Sequence, residues 1–160
     1  MKELRTYLLL LTLLSGIGCA CAQNMVVVNK KELRVYVIGP QADTICSYPC
    51  ACGKMLGNKR SMGDYCTPEG VFSVAAIENS AHWKYKGSIP HVYGPYFIRL
   101  NTYKWDGIGI HGTNAPRAIG TRCTKGCIRL HNKDIVELVK LVEVGTPVRV
   151  MGDYNDHRRK

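Results

Sequence analysis

Residues 107–138 read GIGIHGTNAPRAIGTRCTKGCIRLHNKDIVEL. Two patterns meet in this stretch. GIGIHGT (107–113) has the short apolar alternation of a strand. From Ile135 onward the apolar residues Ile135, Leu138, Val139 and Val142 recur at i, i+3, i+4 and i+7, which is one face of a helix. Asn132 suits the N-cap, Asp134 the first turn, and Gly145 stops the run. Between strand and helix lies a loop rich in Gly, Arg and Lys that holds Cys123 and Cys127. His111 stands sixteen residues before Cys127.

On both sides of this stretch the chain reads as strands. NMVVVN (24–29) is apolar and β-branched, and Asn29 to Lys31 turn it. ELRVYVIG (32–39) alternates, with Leu33, Val35 and Val37 on one face. DTICSYPCACGK (43–54) reads as a third strand. Pro68-Glu69-Gly70 is a turn signal, and a strand follows it to Glu78. SAHWKYKGSIPHVYGP (80–95) is irregular and aromatic. YFIRLNT (96–102) and TPVRVMG (146–152) are further strands. No repeat appears at a fixed period. Many strands and one clear late helix predict a mainly β fold: a β-sandwich or partly closed barrel with the helix packed on it.

The chain has 160 residues, enough for one domain. Residues 1–22 have the layout of a cleaved secretory signal peptide. Lys2 and Arg5 lead, an apolar run spans Tyr7 to Ile17, and Ala20-Cys21-Ala22 is a small-x-small cleavage site. The run is too short to span a bilayer. A lipoprotein-type leader, acylated at Cys19 or Cys21, is the second reading. Either way residues 23–160 form an exported domain, in the periplasm or cell envelope. The net charge is +10, and loss of the leader leaves about +9. Outside the cytoplasm such a charge favours a carboxylate-rich envelope polymer over nucleic acid.

Six cysteines remain after the leader: Cys46, Cys50, Cys52, Cys66, Cys123 and Cys127. Export permits disulfides, and six thiols allow fifteen complete pairings. A bond from Cys50 or Cys52 to Cys66 is compatible with the intervening loop. Cys50 and Cys52 themselves are poorly placed to bond along an extended strand. A zinc site would need paired C-x2-C spacings that are missing here. Buried thiols packing as small hydrophobes are the remaining alternative.

The same alternatives apply to Cys127, with one addition. A nucleophilic cysteine needs a base, an oxyanion pocket and access. Thr124-Lys125-Gly126-Cys127 can turn successive N–H groups toward one point. Lys125 adds positive potential. His111 is the natural base, and Arg129 offers a planar fork for a substrate carboxylate.

The stretch resembles the active-site segment of the bacterial L,D-transpeptidase catalytic domain, the YkuD-like family. The matching residues are His111, Gly112, Thr113, Ile119, Gly120, Thr124, Gly126, Cys127, Ile128 and Arg129. Upstream, Gly53, Thr67, Pro68 and Gly70 match a further family segment. The resemblance implies that Cys127 is the nucleophile, His111 the base, and the Gly112 carbonyl the group that orients the imidazole. It implies an oxyanion hole from the amides of Lys125, Gly126 and Cys127. It also implies binding of the donor stem by Arg129, with Thr113 as a further candidate; the aromatic stretch adds Tyr96, Tyr93 and Trp83, which either pack on the stem or close the edge of the sandwich. The substrate would be the peptide stem of peptidoglycan, attacked at its third-residue carbonyl with loss of D-alanine. The acceptor would be an amine of another stem, or water. No metal or organic cofactor is implied. The sequence departs from the family at Lys125, where many members carry His, and at Cys123, a thiol close enough in sequence to raise a disulfide with Cys127.

Overall fold

The structure is a computed structural model, and it describes residues 23–153. Residues 1–22, expected to be a leader, and the basic tail after Asp153 lie outside the described residues. Within them the chain is mainly β. One curled sheet forms half a barrel, and a single helix is present among the described residues.

The sheet has eight strands. In chain order they are β1 (Met25–Asn29), β2 (Arg34–Ile38), β3 (Thr44–Pro49), β5 (Gly70–Asn79), β8 (Tyr96–Asn101), β9 (Gly109–His111), β11 (Ile128–Arg129) and β12 (Pro147–Met151). In space the order is β11-β9-β8-β5-β12-β1-β2-β3. Most neighbours are antiparallel, but β1 pairs with β12 and β9 with β11 in parallel. Two small ribbons complete the fold. β4 (Cys52–Gly53) pairs with β10 (Arg122–Thr124), and β6 (Lys84–Tyr85) with β7 (Ile89–Pro90).

Alternation explains the long strands. In β1 and β2 every second residue is buried, and Val26, Val28, Val35 and Val37 face the core with Val148 and Val150 of β12. Branched side chains suit this pleated surface. Helix α1 (Asn132–Leu138) closes the core by burying Ile135 and Leu138.

Several details differ from what the sequence pattern predicts. The third strand does not run on through residue 54. It ends at Pro49, which has no N–H to continue a ladder, and β4 joins a different sheet. Leu33 lies in the turn, with a φ of 54°, and not in β2. The aromatic stretch 80–95 contains the β6–β7 hairpin. The helix is shorter than its apolar period: Val142 is buried but lies beyond it. Its N-cap is His131, not Asn132.

The six cysteines are free thiols. Cys66 is not joined to Cys50 or Cys52; its Sγ contacts the carbonyls of Leu56 and Asp64. Cys50 and Cys52 are not disulfide-bonded to each other, as the spacing suggests, and their Sγ atoms lie 3.8 Å apart inside the core. The chain leaves the β3 line at Cys50.

A buried ionic cluster ties the two halves together. Lys30 bonds Glu69 at 2.7 Å, and Arg122 of β10 forms an ion pair with Asp153 at 2.8 Å and donates to the Lys30 carbonyl at 2.7 Å. Gly57 N–H donates to Asp153 at 2.8 Å. Buried charges persist when paired and hydrogen-bonded in this way.

Candidate active site

The parallel register of β9 and β11 sets Ile110 opposite Ile128 and His111 opposite Arg129. Continued back by one residue, it sets Cys127 opposite Gly109. Alternation then gives Cys127, Arg129 and His111 a common face. Ile110 and Ile128 point the other way, into the core. Residues distant in sequence thus share a face because two very short strands pair.

His111 is held on all sides. Its imidazole stacks on Phe97 of β8, with centroids 5.4 Å apart and planes 7° apart. Tyr93 meets it edge-on at 5.2 Å. Its Nδ1 lies 2.6 Å from the carbonyl oxygen of Gly112. A carbonyl only accepts, so Nδ1 carries the hydrogen and Nε2 keeps its lone pair. His111 is 2 % exposed. Burial, with a smaller effect from the Arg129 charge, holds its pKa down at about 4 despite the Gly112 bond. The imidazole is neutral at pH 7.

The next residues are fixed by backbone contact and by one side chain. Gly112 and Gly94 pack backbone to backbone, and a Cβ on either would collide with Asn132 and with the other glycine. The Asn132 side chain accepts the Thr113 N–H at 2.7 Å. Asn132, which suited a cap by sequence, instead anchors the histidine loop. Thr113 is buried, and its hydroxyl accepts the Ala115 N–H at 3.0 Å. Its side chain is thus engaged within the loop.

Around Cys127 the chain turns at Gly126, whose φ is 138°. A Cβ there would press on the Cys66 carbonyl at 3.0 Å and on Ile108 at 3.1 Å. Thr124 stitches the turn: its hydroxyl donates to the Cys127 carbonyl at 2.6 Å and accepts the Gly126 N–H at 3.1 Å. The Gly126 amide is therefore engaged, whereas those of Lys125 and Cys127 are not engaged in this way. The Cys127 thiol donates to the Gly107 carbonyl at 3.3 Å. Burial pushes its pKa up; the Gly109 amide and the charges of Arg129, Arg99 and Lys59 pull it back in part. With His111 depressed and Cys127 raised, the resting pair is thiol and neutral imidazole.

Cys127 lines a cavity of about 380 Å³ with Trp83, Tyr93, Phe97, Arg99 and Lys125. Trp83 and Tyr93, expected at a groove, are here. Tyr96 is adjacent to Phe97 on β8 and so faces the opposite side of the strand, half-buried against the core. Phe97 was the aromatic that the sequence reading missed; its register opposite His111 selects it. The Arg129 Nε is buried and has no hydrogen-bond partner among the described residues, so it retains a free donor. Its backbone is fixed by a pair of 2.9 Å bonds to Ala51. Gly53 and Thr67, separated in sequence, meet through a 2.8 Å bond from the Gly53 N–H to the Thr67 hydroxyl. Cys123 is exposed and near the Ala118 carbonyl, and it is not bonded to Cys127.

Comparison with known proteins agrees with this fold. The L,D-transpeptidase catalytic domain (YkuD) family model matches residues 23–150, so the chain belongs to that family. The YkuD protein of Bacillus subtilis (strain 168), named as an L,D-transpeptidase, is 36% identical over 104 residues, covering 65% of this chain and 52% of that one. The YqjB protein of the same strain, similarly named, is 34% identical over 136 residues, 80% of this chain and 71% of that one. This chain thus spans about half the length of the first relative. The crystal structure of an L,D-transpeptidase from Stackebrandtia nassauensis superposes with a TM-score of 0.63 at 23% identity, over 84% of this chain and 58% of that one. That likeness concerns the fold.

Proposed function

We propose that this protein is an exported peptidoglycan L,D-transpeptidase, with Cys127 as nucleophile and His111 as base. One observation carries the reading. His111 and Cys127 share a face of the β9–β11 pair, with Nδ1 of His111 already committed to Gly112 and Nε2 free to accept a proton. The leader-like residues 1–22 and the positive charge support action on an anionic polymer outside the cytoplasm.

The donor is a tetrapeptide stem seated in the cavity beside Cys127. As Sγ bonds to the third-residue carbonyl carbon, its proton passes to Nε2 of His111. The oxyanion faces the amides of Lys125 and Cys127, while the Gly126 amide serves the turn. The C–N bond to D-alanine breaks, and the imidazolium returns the proton to the departing amine. A thioester on Cys127 remains. The side-chain amine of a second stem attacks it, giving its proton to His111. The new amide forms and Sγ regains a proton. Arg129 holds the donor stem through its unpartnered Nε.

Muropeptide analysis of tetrapeptide-stem dimers incubated with the purified mature protein tests this. The expected product links two third residues and is accompanied by free D-alanine. Tripeptide stems without a cross-link would make water the acceptor and the protein an L,D-carboxypeptidase. Unchanged stems would overturn the proposal.

A further inference from the structure

The cavity beside Cys127 has three cations on its wall, Lys59, Arg99 and Lys125. Two of them are already neutralised. Lys59 pairs with Asp64 at 2.7 Å, and Arg99 with Glu78 at 2.8 Å. Lys125 has no carboxylate partner among the described residues. Its Nζ donates to the hydroxyl of Tyr85 at 2.9 Å, joining the catalytic turn to the β6–β7 hairpin. The same ammonium lies 5.5 Å from the Tyr85 ring centroid, and that of Lys86 lies 5.9 Å from it. Lys86 also lacks a carboxylate partner among the described residues. Two ammonium groups therefore share one phenol, and Asp106, an acid on the same cavity wall, forms an ion pair with neither of them. The pair polarises accordingly: the bond to Lys125 holds the Tyr85 pKa down, and the bond to Tyr85 holds that of Lys125 up.

This arrangement has unused donors. Lys125 keeps two of its three N–H groups, and Tyr85, which accepts from Lys125, keeps its O–H. A carboxylate accepts from an ammonium and a hydroxyl together, through bonds that are shorter and stronger than neutral ones. Lys125 is two residues before Cys127, so the carboxylate it reaches belongs to a group near the bond being cleaved. We infer that Lys125 and Tyr85, aided by Lys86, recognise a free carboxylate of the donor stem, so that Lys125 determines donor specificity. The carboxylate is either the C-terminal one of the leaving residue or the side-chain one of the third residue. The inference rests on the transpeptidase reading above. It gives the Lys125 side chain a role separate from its backbone amide.

The test compares acylation of Cys127, followed by intact mass, for three tetrapeptide donors. One has all carboxylates free, one is amidated at the C-terminus, and one is amidated at the third-residue side chain. The wild type is expected to prefer the free-carboxylate donor in kcat/KM over one of the amides by about two- to fivefold, the range open to an exposed ion pair. The amide that is discriminated against identifies the carboxylate. Lys125→Met brings that ratio close to one, chiefly through KM. Lys125→Arg restores it in part, and Tyr85→Phe loses part of it. High salt compresses the wild-type preference. A wild type indifferent to both amides, or a Lys125→Met variant that keeps the wild-type ratio, overturns the inference alone. A wild type acylated by none of the donors overturns the transpeptidase reading and this inference with it.

Discussion

The two ends of the sheet are held by different forces. At the β1–β2–β12 end, strands of five residues alternate cleanly, and six valines fill the core. At the β9–β11 end, the strands are three and two residues long, too short for a ladder to secure alone. There the order comes from individual bonds and contacts: Asn132 on Thr113, Thr124 on Cys127, Thr67 on Gly53, and the stack of Phe97 on His111. The first end stores stability in buried apolar area. The second spends short backbone segments on aiming side chains. The buried Lys30–Asp153–Arg122 cluster couples them, because Arg122 belongs to the ribbon that leads to Cys127.

This contrast can be broken by experiment. The largest effect is expected from His111→Ala. It removes the proposed base and should lower the acylation rate on the order of 10³-fold or more, measured by single-turnover mass spectrometry on folded protein. A variant within tenfold of wild type would remove His111 from the chemistry.

Next comes pH. The His111 pKa is about 4 when folded, below its ordinary 6.5. Between those values the unfolded chain binds the extra proton, so stability falls as pH drops from 6.5 toward 4. The difference is roughly 3 kcal/mol for this group alone. Urea unfolding of wild type and His111→Phe across that range should show the steeper loss in the wild type. Equal slopes would mean that the buried imidazole is not held neutral.

Val35→Ala and Val148→Ala probe the other end. Each should cost about 2–3 kcal/mol in urea unfolding while leaving acylation per folded molecule unaltered. Loss of rate at full folding would blur the division between the two ends. The smallest effect is expected from Asn132→Ala. It orphans the Thr113 N–H and should cost about 1 kcal/mol in stability, with a disproportionate fall in kcat because the histidine loop loosens. A change in stability alone would make Asn132 a structural residue only.

The same contrast decides what could be read from sequence. The valine strands announce themselves because alternation over five residues is a strong signal. His111, Gly126, Cys127 and Arg129 stand out in the sequence through their resemblance to the family's motif, whereas residue type alone leaves the role of Cys127 open. The rest depends on tertiary register. Nothing local distinguishes Phe97 from Tyr96; pairing of β8 with β9 turns Phe97 onto His111. Two-residue strands such as β6 and β11 are shorter than any period. Asn132 has the chemistry of a cap, and tertiary contact gives it another acceptor role. Cys50 and Cys52 share parity and do lie side by side, but the end of β3 at Pro49, which takes them off that strand, is not written in the alternation.

The central claim is that Cys127 alone carries the acyl group. Incubation with a tetrapeptide donor or a carbapenem, followed by intact mass and peptide mapping, tests it directly. The account predicts one adduct per wild-type molecule, located on the peptide containing Cys127, and none on Cys127→Ala. An adduct of equal yield on Cys127→Ala, or one mapped to Cys123, would contradict it.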